Sequence, residues 1–129
     1  MYNKQPLYRR NVTGDLEITN NTSIVFEAPA HIVNNTETLL DEFDATIYMG
    51  ARYSVWLKNE IGQMEINDFQ VICDGEAAFI RFYSTLNNIY SQNVVSTYTA
   101  RVLRGKCQVH IEAVGMRNVV RFHKTLFKN

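Results

Sequence analysis

The chain holds few of the residues that usually announce chemistry or a membrane. Of 129 residues, two are cysteine, two proline, six glycine and one tryptophan. Cys73 and Cys107 lack the CxxC spacing of a zinc or redox site. Buried reduced thiols are therefore expected, with a cross-strand disulfide left open should the chain meet an oxidising exterior. No apolar run is long enough to cross a bilayer as a helix, and MYNKQPLYRR lacks the hydrophobic stretch of a signal peptide. The expectation is cytosolic synthesis and no membrane partner. Without a secretory route, the Asn-x-Ser/Thr sequons at Asn11, Asn20, Asn21 and Asn34 read as turn and loop residues.

Catalytic signatures are missing too. A P-loop, a glycine-rich dinucleotide turn, HExxH and a nucleophile elbow are all absent, so no enzyme and no cofactor are expected. His31, His110 and His123 fall in three different elements and read as surface or packing residues. The acids Asp41, Glu42 and Asp44 lack the glycine turn and alternating oxygen ligands of a calcium loop, which argues against a metal. Thirteen basic residues cancel thirteen acidic ones, leaving no electrostatic footprint for nucleic acid. The balance hides an asymmetry. Residues 1–44 carry a net charge of −4 and the remainder +4, so opposite ends can complement each other between copies or neighbours.

What is present is a succession of short alternating segments. The clearest join is Asp74-Gly75, between FQVIC and EAAFIRFY, which fits the central pair of a type I′ hairpin turn. Strands are predicted at about 47–58, 63–73, 76–84, 94–103, 106–114 and 117–127, with tight turns at Arg104-Gly105 and Gly115-Met116. In 106–114, Cys107, Val109, Ile111 and Ala113 alternate with Gln108, His110 and Glu112, giving one core face and one wet face. In 63–73 the apolar phase slips between Met64/Ile66 and Phe69/Val71/Cys73, which suggests a bulge near Asn67-Asp68. Residues 36–44 suggest one or two helical turns with Leu39, Leu40 and Phe43 on one side. The fold expected is all-β: an antiparallel β-sandwich, or flattened barrel, of about six to eight strands.

Two parts of the chain stand out as candidate contact surfaces. Residues 1–35 hold short alternations that cannot bury a face alone, with Leu16, Ile18, Ile24, Phe26 and Ile32 as their apolar positions. They read as an extended N-terminal arm for oligomerisation or docking, preceding a sandwich domain over 36–129. The second is the longer loop NNIYSQN, offering Asn87, Asn88, Tyr90, Gln92 and Asn93. Most aromatics alternate with polar neighbours as core residues do, and Tyr90 is the exception best placed for contact.

The stretch FDATIYMGARYSVWLKNEIGQMEINDFQVICDGEAAFIRFYSTL, with VVSTYTARVLRGKCQVHIEAVG and VVRFHKTLF, resembles a β-domain recurrent in structural proteins of tailed bacteriophages. The resemblance covers about residues 43–127. It rests on the aromatic-plus-small opening (Phe43, Ala51, Tyr53), the Asp-Gly hairpin, a Thr/Tyr-containing edge strand and the closing strand near Thr125-Leu126. The segment NVTGDLEITNNTSIVFEAPAHIVNN is similar to the short T-G-D-L-x-I/V-T repeats of phage fibres, in which three chains intertwine. A single copy implies a short collar or arm rather than a shaft. The resemblance implies a non-enzymatic virion protein that docks onto other particle subunits in the tail, baseplate, neck or fibre attachment region. Copies of itself, as a trimer, and other virion proteins would be its partners, and the virion its location. A capsid decoration protein, or a glycan-binding module presenting Tyr90 with its neighbouring amides to host glycans, are the alternatives.

Overall fold

A computed structural model describes residues 7–10, 16–19, 23–27, 31–33, 36–89, 95–114 and 117–129. Every regular element among them is a strand: β1 (Leu7–Arg10), β2 (Leu16–Thr19), β3 (Ser23–Glu27), β4 (His31–Val33), β5 (Thr38–Asp44), β6 (Tyr48–Asn59), β7 (Met64–Cys73), β8 (Ala78–Asn87), β9 (Ser96–Leu103), β10 (Lys106–Ala113) and β11 (Asn118–Lys128). β1 and β2 form an antiparallel ribbon. Strands β5 to β11 build two antiparallel sheets. The small sheet has the order β5-β10-β9, and the large one β3-β11-β6-β7-β8, with β4 also pairing β11. The all-β sandwich expected from the sequence is thus the architecture found. β3 and β4 both lie within residues 1–35, yet their backbone pairs with β11, and Val33 is buried in the shared core.

Alternation places the core. Ala51, Tyr53, Val55 and Leu57 of β6 and Val120, Phe122 and Leu126 of β11 point inward, where they meet Cys107, Val109, Ile111 and Ala113 of β10. Phe69 of β7 sits at the centre. Its ring lies 5.2 Å from Tyr53, 5.2 Å from Phe82 and 4.8 Å from Tyr98, the last of these on the opposite sheet. One ion pair spans the sheets within this apolar layer. Lys124 Nζ of β11 donates to both carboxylate oxygens of Asp41 on β5, at 3.1 and 2.8 Å. The Tyr53 hydroxyl donates to Asp41 Oδ2 at 2.6 Å. Burial first, and then the Asp41 charge, push the Tyr53 pKa well above its usual value, so this hydroxyl keeps its proton.

Three local expectations are corrected by the structure. Residues 38–44 form strand β5, not helical turns. The pairing with β10 shifts between Val109 and His110, leaving Leu40 as an extra residue, so Leu40 and Phe43 both reach the core. A bulge therefore imitates helical spacing.

The second correction concerns β7, which keeps strict phase. Glu65, Asn67, Phe69 and Val71 all face inward, while Met64 and Ile66 face out. The bulge lies opposite, on β8, where Asp68 pairs Ser84 and Phe69 pairs Phe82, leaving Tyr83 as the extra residue.

The third is the hairpin at Asp74-Gly75, which is not type I′. Cys73 pairs Ala78, so the turn is longer, and only Gly75 has positive φ, at 94°. Asp74 Oδ1 fixes the turn by accepting from the Glu76 and Ala77 amides at 3.0 and 2.9 Å. The type I′ pattern occurs instead at Arg104-Gly105, with φ of 53° and 77° between the paired residues Leu103 and Lys106.

Candidate functional site: the outer face of the large sheet

The surface of the large sheet is set by what its inner face holds. Glu65 is 1 % exposed, yet its carboxylate accepts five hydrogen bonds. Oε1 takes them from Asn67 Nδ2 (3.0 Å), the Ser96 amide (3.1 Å) and the Ser96 hydroxyl (2.7 Å). Oε2 takes them from Asn87 Nδ2 (3.1 Å) and the Val95 amide (2.7 Å). Burial pushes the Glu65 pKa upward, but the bonds from Val95, Asn67, Ser96 and Asn87 outweigh it and hold the group below its usual value. Asn67 extends the network to the Tyr98 hydroxyl at 3.0 Å and accepts from Thr85 at 2.9 Å. A charged, fully bonded cluster thus ties β7 and β8 to the start of β9.

With Glu65 and Asn67 drawn inward, Met64 and Ile66 have no place but the outside. The strand registers then stack apolar side chains into two bands across the outer face. At one end Leu86, Ile66 and Trp56 follow one another across β8, β7 and β6, flanked by Met64 and Val119. At the other end Phe79 pairs Ile72, which pairs Gly50, which pairs Phe127. Ile66 is 46 % exposed, Ile72 51 %, Phe79 55 % and Leu86 68 %. Gly50 permits close approach: a Cβ there would overlap the Val71 carbonyl oxygen.

Between the bands runs a polar belt. Ser84 donates to Asp68 at 3.0 Å, and the Gln70 carboxamide accepts from Arg52 at 3.1 and 3.2 Å while donating to the Tyr83 hydroxyl.

The first band forms a groove of about 530 Å³, lined by Trp56, Leu57, Met64, Ile66 and Val119, with Lys58, Arg117, Arg121 and the single exposed acid Glu60 around it. Among the described residues none of these three cations is ion-paired. The Trp56 ring meets His123 edge-on at 6.0 Å. Such a face can bury apolar area against another surface and steer it by charge. Among the described residues no three His, Cys, Asp or Glu side chains converge as a metal site would require.

The residues singled out from the sequence are placed elsewhere. Asn87 and Asn88 serve internal bonding: Asn87 holds Glu65, while Asn88 accepts from the Met64 amide at 2.8 Å and donates to the Gly62 carbonyl at 3.0 Å. Tyr90, Gln92 and Asn93 lie outside the described residues. Leu16, Ile18, Ile24, Phe26 and Ile32 fall in β2, β3 and β4, where the backbone register is described and the side chains are not.

Trp56, Met64, Ile66, Ile72, Phe79 and Leu86 were missed. Met64 and Ile66 sit in an alternation that reads equally well with the phase inverted, and the bonding of Glu65 settles it; Trp56 and Ile72 stand opposite apolar inward runs, and Phe79 and Leu86 lie on the edge strand β8. The aromatics were expected mostly inside. Tyr53, Phe69, Tyr98 and Phe122 are, whereas Phe79, Phe82 and Tyr83 are exposed because β8 is the edge strand.

No protein-family model and no curated protein matches the chain. Among solved structures it is similar to the tailspike protein of Acinetobacter baumannii phage AM24, with a TM-score of 0.49 and 7% identity. The match covers 84% of this chain and 26% of that one, so the chain spans about a quarter of the tailspike's length.

Proposed function

We propose that this chain is a non-enzymatic assembly protein of a bacteriophage particle, docking onto its neighbours through the outer face of the large sheet. The observation that carries the docking role is the row Leu86, Ile66 and Trp56, with Met64 beside it, open to solvent on strands β6 and β7 whose inward residues are buried in the core and on the edge strand β8. Apolar surface arranged in a contiguous patch and bordered by unpaired cations is what a protein contact uses. The particle context comes from the residue pattern over 43–127, and favours the tail, baseplate, neck or fibre attachment region. Residues 1–35 would act with this face as an arm, in a closed oligomer of copies.

A capsid decoration role would use the same face. The glycan reading loses support, because Asn87 and Asn88 already spend their side chains on internal bonds.

The test is light scattering on the full chain, on the chain lacking residues 1–35, and on the double variant Ile66→Asp/Leu86→Asp. The full chain is expected to associate, alone or with the particle proteins produced beside it. The double variant is expected to stay monomeric with unchanged circular dichroism. Association undiminished in the double variant would overturn the assignment of the face. Because removing 1–35 also removes β3, β4 and the buried Val33, loss of association in that chain would place the main contact in the arm only with circular dichroism and melting temperature unchanged.

A further inference from the structure

Strand β8 ends the large sheet on one side, and no described strand lies beyond it. Unpaired amides and carbonyls on such an edge recruit other strands, so exposed edges are usually kept short or guarded by proline and charge. β8 has ten residues, no proline and one charge, Arg81. The small sheet stops at β9, which leaves even the inner face of β8 partly uncovered. Phe82 points inward opposite Phe69 and meets the Tyr98 ring at 5.7 Å, yet it is 43 % exposed.

The strand is also complementary to itself. Its bulge at Tyr83 lies in the middle, with Phe79, Ile80, Arg81 and Phe82 before it and Ser84, Thr85 and Leu86 after it. Set antiparallel to a second β8 about a two-fold axis at Phe82, with Tyr83 left out of the pairing, the strand brings like faces together. On the outer face Phe79 lies opposite Leu86 and Arg81 opposite Ser84; on the inner face Ile80 lies opposite Thr85, and Phe82 meets its own copy.

Charge agrees with this register. Asp68 flanks Ser84 on β7 and accepts from its hydroxyl at 3.0 Å, while the second copy's Arg81 arrives on the other side of Ser84. Two strand spacings, about 10 Å, then separate the two backbones, a gap that an arginine and an aspartate side chain together span. Within one chain neither Arg81 nor Asp68 is ion-paired among the described residues. We infer that β8 pairs edge to edge with β8 of a second copy, in a two-fold dimer closed by the Phe82 contact and two Arg81–Asp68 ion pairs across the axis.

This pairing leaves Trp56, Met64 and Ile66 open, so it stands apart from the proposed docking role. The two-fold axis sets both outer faces on one side, and the Phe79 band of each copy runs on into the Leu86 band of the other. Leu86 belongs to both surfaces, whereas Arg81 and Asp68 lie across the polar belt between the bands.

The test therefore uses that charge pair in the full chain. The parent is expected to sediment as a dimer, with hydrogen exchange of β8 amides slowing as concentration rises. Arg81→Glu and Asp68→Lys each set two like-charge contacts across the axis, and each should weaken dimerisation at least about tenfold with unchanged circular dichroism. Mixed in equal amounts the two variants should dimerise again, because each then meets the opposite charge on the other, and native mass spectrometry identifies the mixed dimer. Ile66→Asp lies off the edge and should leave the dimer intact, so failure of the docking face and failure of the edge read out separately. A monomeric parent, β8 exchange independent of concentration, or dimerisation unaltered in both charge variants would each overturn the inference. So would folded variants that dissociate singly and stay apart on mixing. The exchange measurement on the parent decides alone where a variant misfolds.

Discussion

The two sheets share one core but turn opposite kinds of surface to the solvent. On the outside of the small sheet Lys106 lies beside Asp44 and Gln108 beside Glu42, while Arg101 pairs with Glu37. Its polar groups answer one another, and only Leu39 and Leu103 are large exposed apolar residues on those strands. On the outside of the large sheet, Met64, Ile66, Ile72, Phe79 and Leu86 form bands with no covering layer among the described residues. Sheets with one wet face alternate apolar-in and polar-out. The small sheet obeys this and the large sheet inverts it over Met64 to Asn67. The two faces differ where β7 puts its Glu65 carboxylate inside and its Ile66 side chain outside.

The strongest way to break this contrast is to remove the reason for the inversion. Glu65→Gln keeps the shape but replaces one acceptor oxygen by an NH₂ that faces the donors of Asn87 and Val95, or of Asn67 and Ser96. A loss of about 3 kcal/mol is expected, because buried donors lose their partner. Urea titration followed by Trp56 fluorescence measures it. The pH dependence supplies a second readout. Because the folded pKa of Glu65 lies below its usual value of 4.5, its stabilisation is complete above that value and is lost as pH falls through the lower folded pKa. The Gln variant should show a shallower fall in stability on acidification. Equal stability of both proteins from neutral pH down to acid would mean the cluster does not hold β7 in phase.

That cluster also marks how far the sequence could be read. Strands β6, β9, β10 and β11 were legible because their inward positions are mostly apolar, as in Cys107, Val109, Ile111 and Ala113. At β7 the apolar pattern pointed the wrong way, since the energy that orients Glu65 comes from amides of Val95 and Ser96, remote in sequence and adjacent only in the fold. At β5, Leu40 and Phe43 looked helical because a bulge put both on one face, and no local residue announces that bulge. The exposure of Met64 and Ile66 was illegible for the same reason as the burial of Glu65: both follow from hydrogen bonds made by residues remote in sequence.

A smaller effect sharpens the contrast from the small sheet, where backbone chemistry rather than packing leaves room for improvement. Asp74-Gly75 carries the preferred I′ sequence but sits in a different turn, while the I′ turn itself holds Arg104 at φ 53°. A long side chain in the left-handed region is strained, and asparagine tolerates it better. Arg104→Asn is expected to stabilise by about 0.5–1 kcal/mol, raising the melting temperature by a few degrees in differential scanning calorimetry. Since Arg104 lies on the β9-β10 hairpin, away from the groove, association should be unaltered. A lower melting temperature would show that Arg104 holds its conformation through contacts worth more than the strain.

The smallest stability effects separate the two faces most cleanly. Arg101→Ala removes an exposed pair with Glu37, and such pairs contribute at most about 0.5 kcal/mol. Ile66→Thr, half-exposed on the other sheet, keeps β-branching and should also shift stability by no more than about 0.5 kcal/mol. By denaturation the two variants would be indistinguishable. By sedimentation or light scattering they should differ, because only Ile66 belongs to a surface that gains by being covered. If both variants associate as the parent does, the exposed bands are merely tolerated; if only Ile66→Thr weakens association, a change nearly silent in folding is decisive in docking. That separation is what distinguishes an interface from a poorly covered sheet.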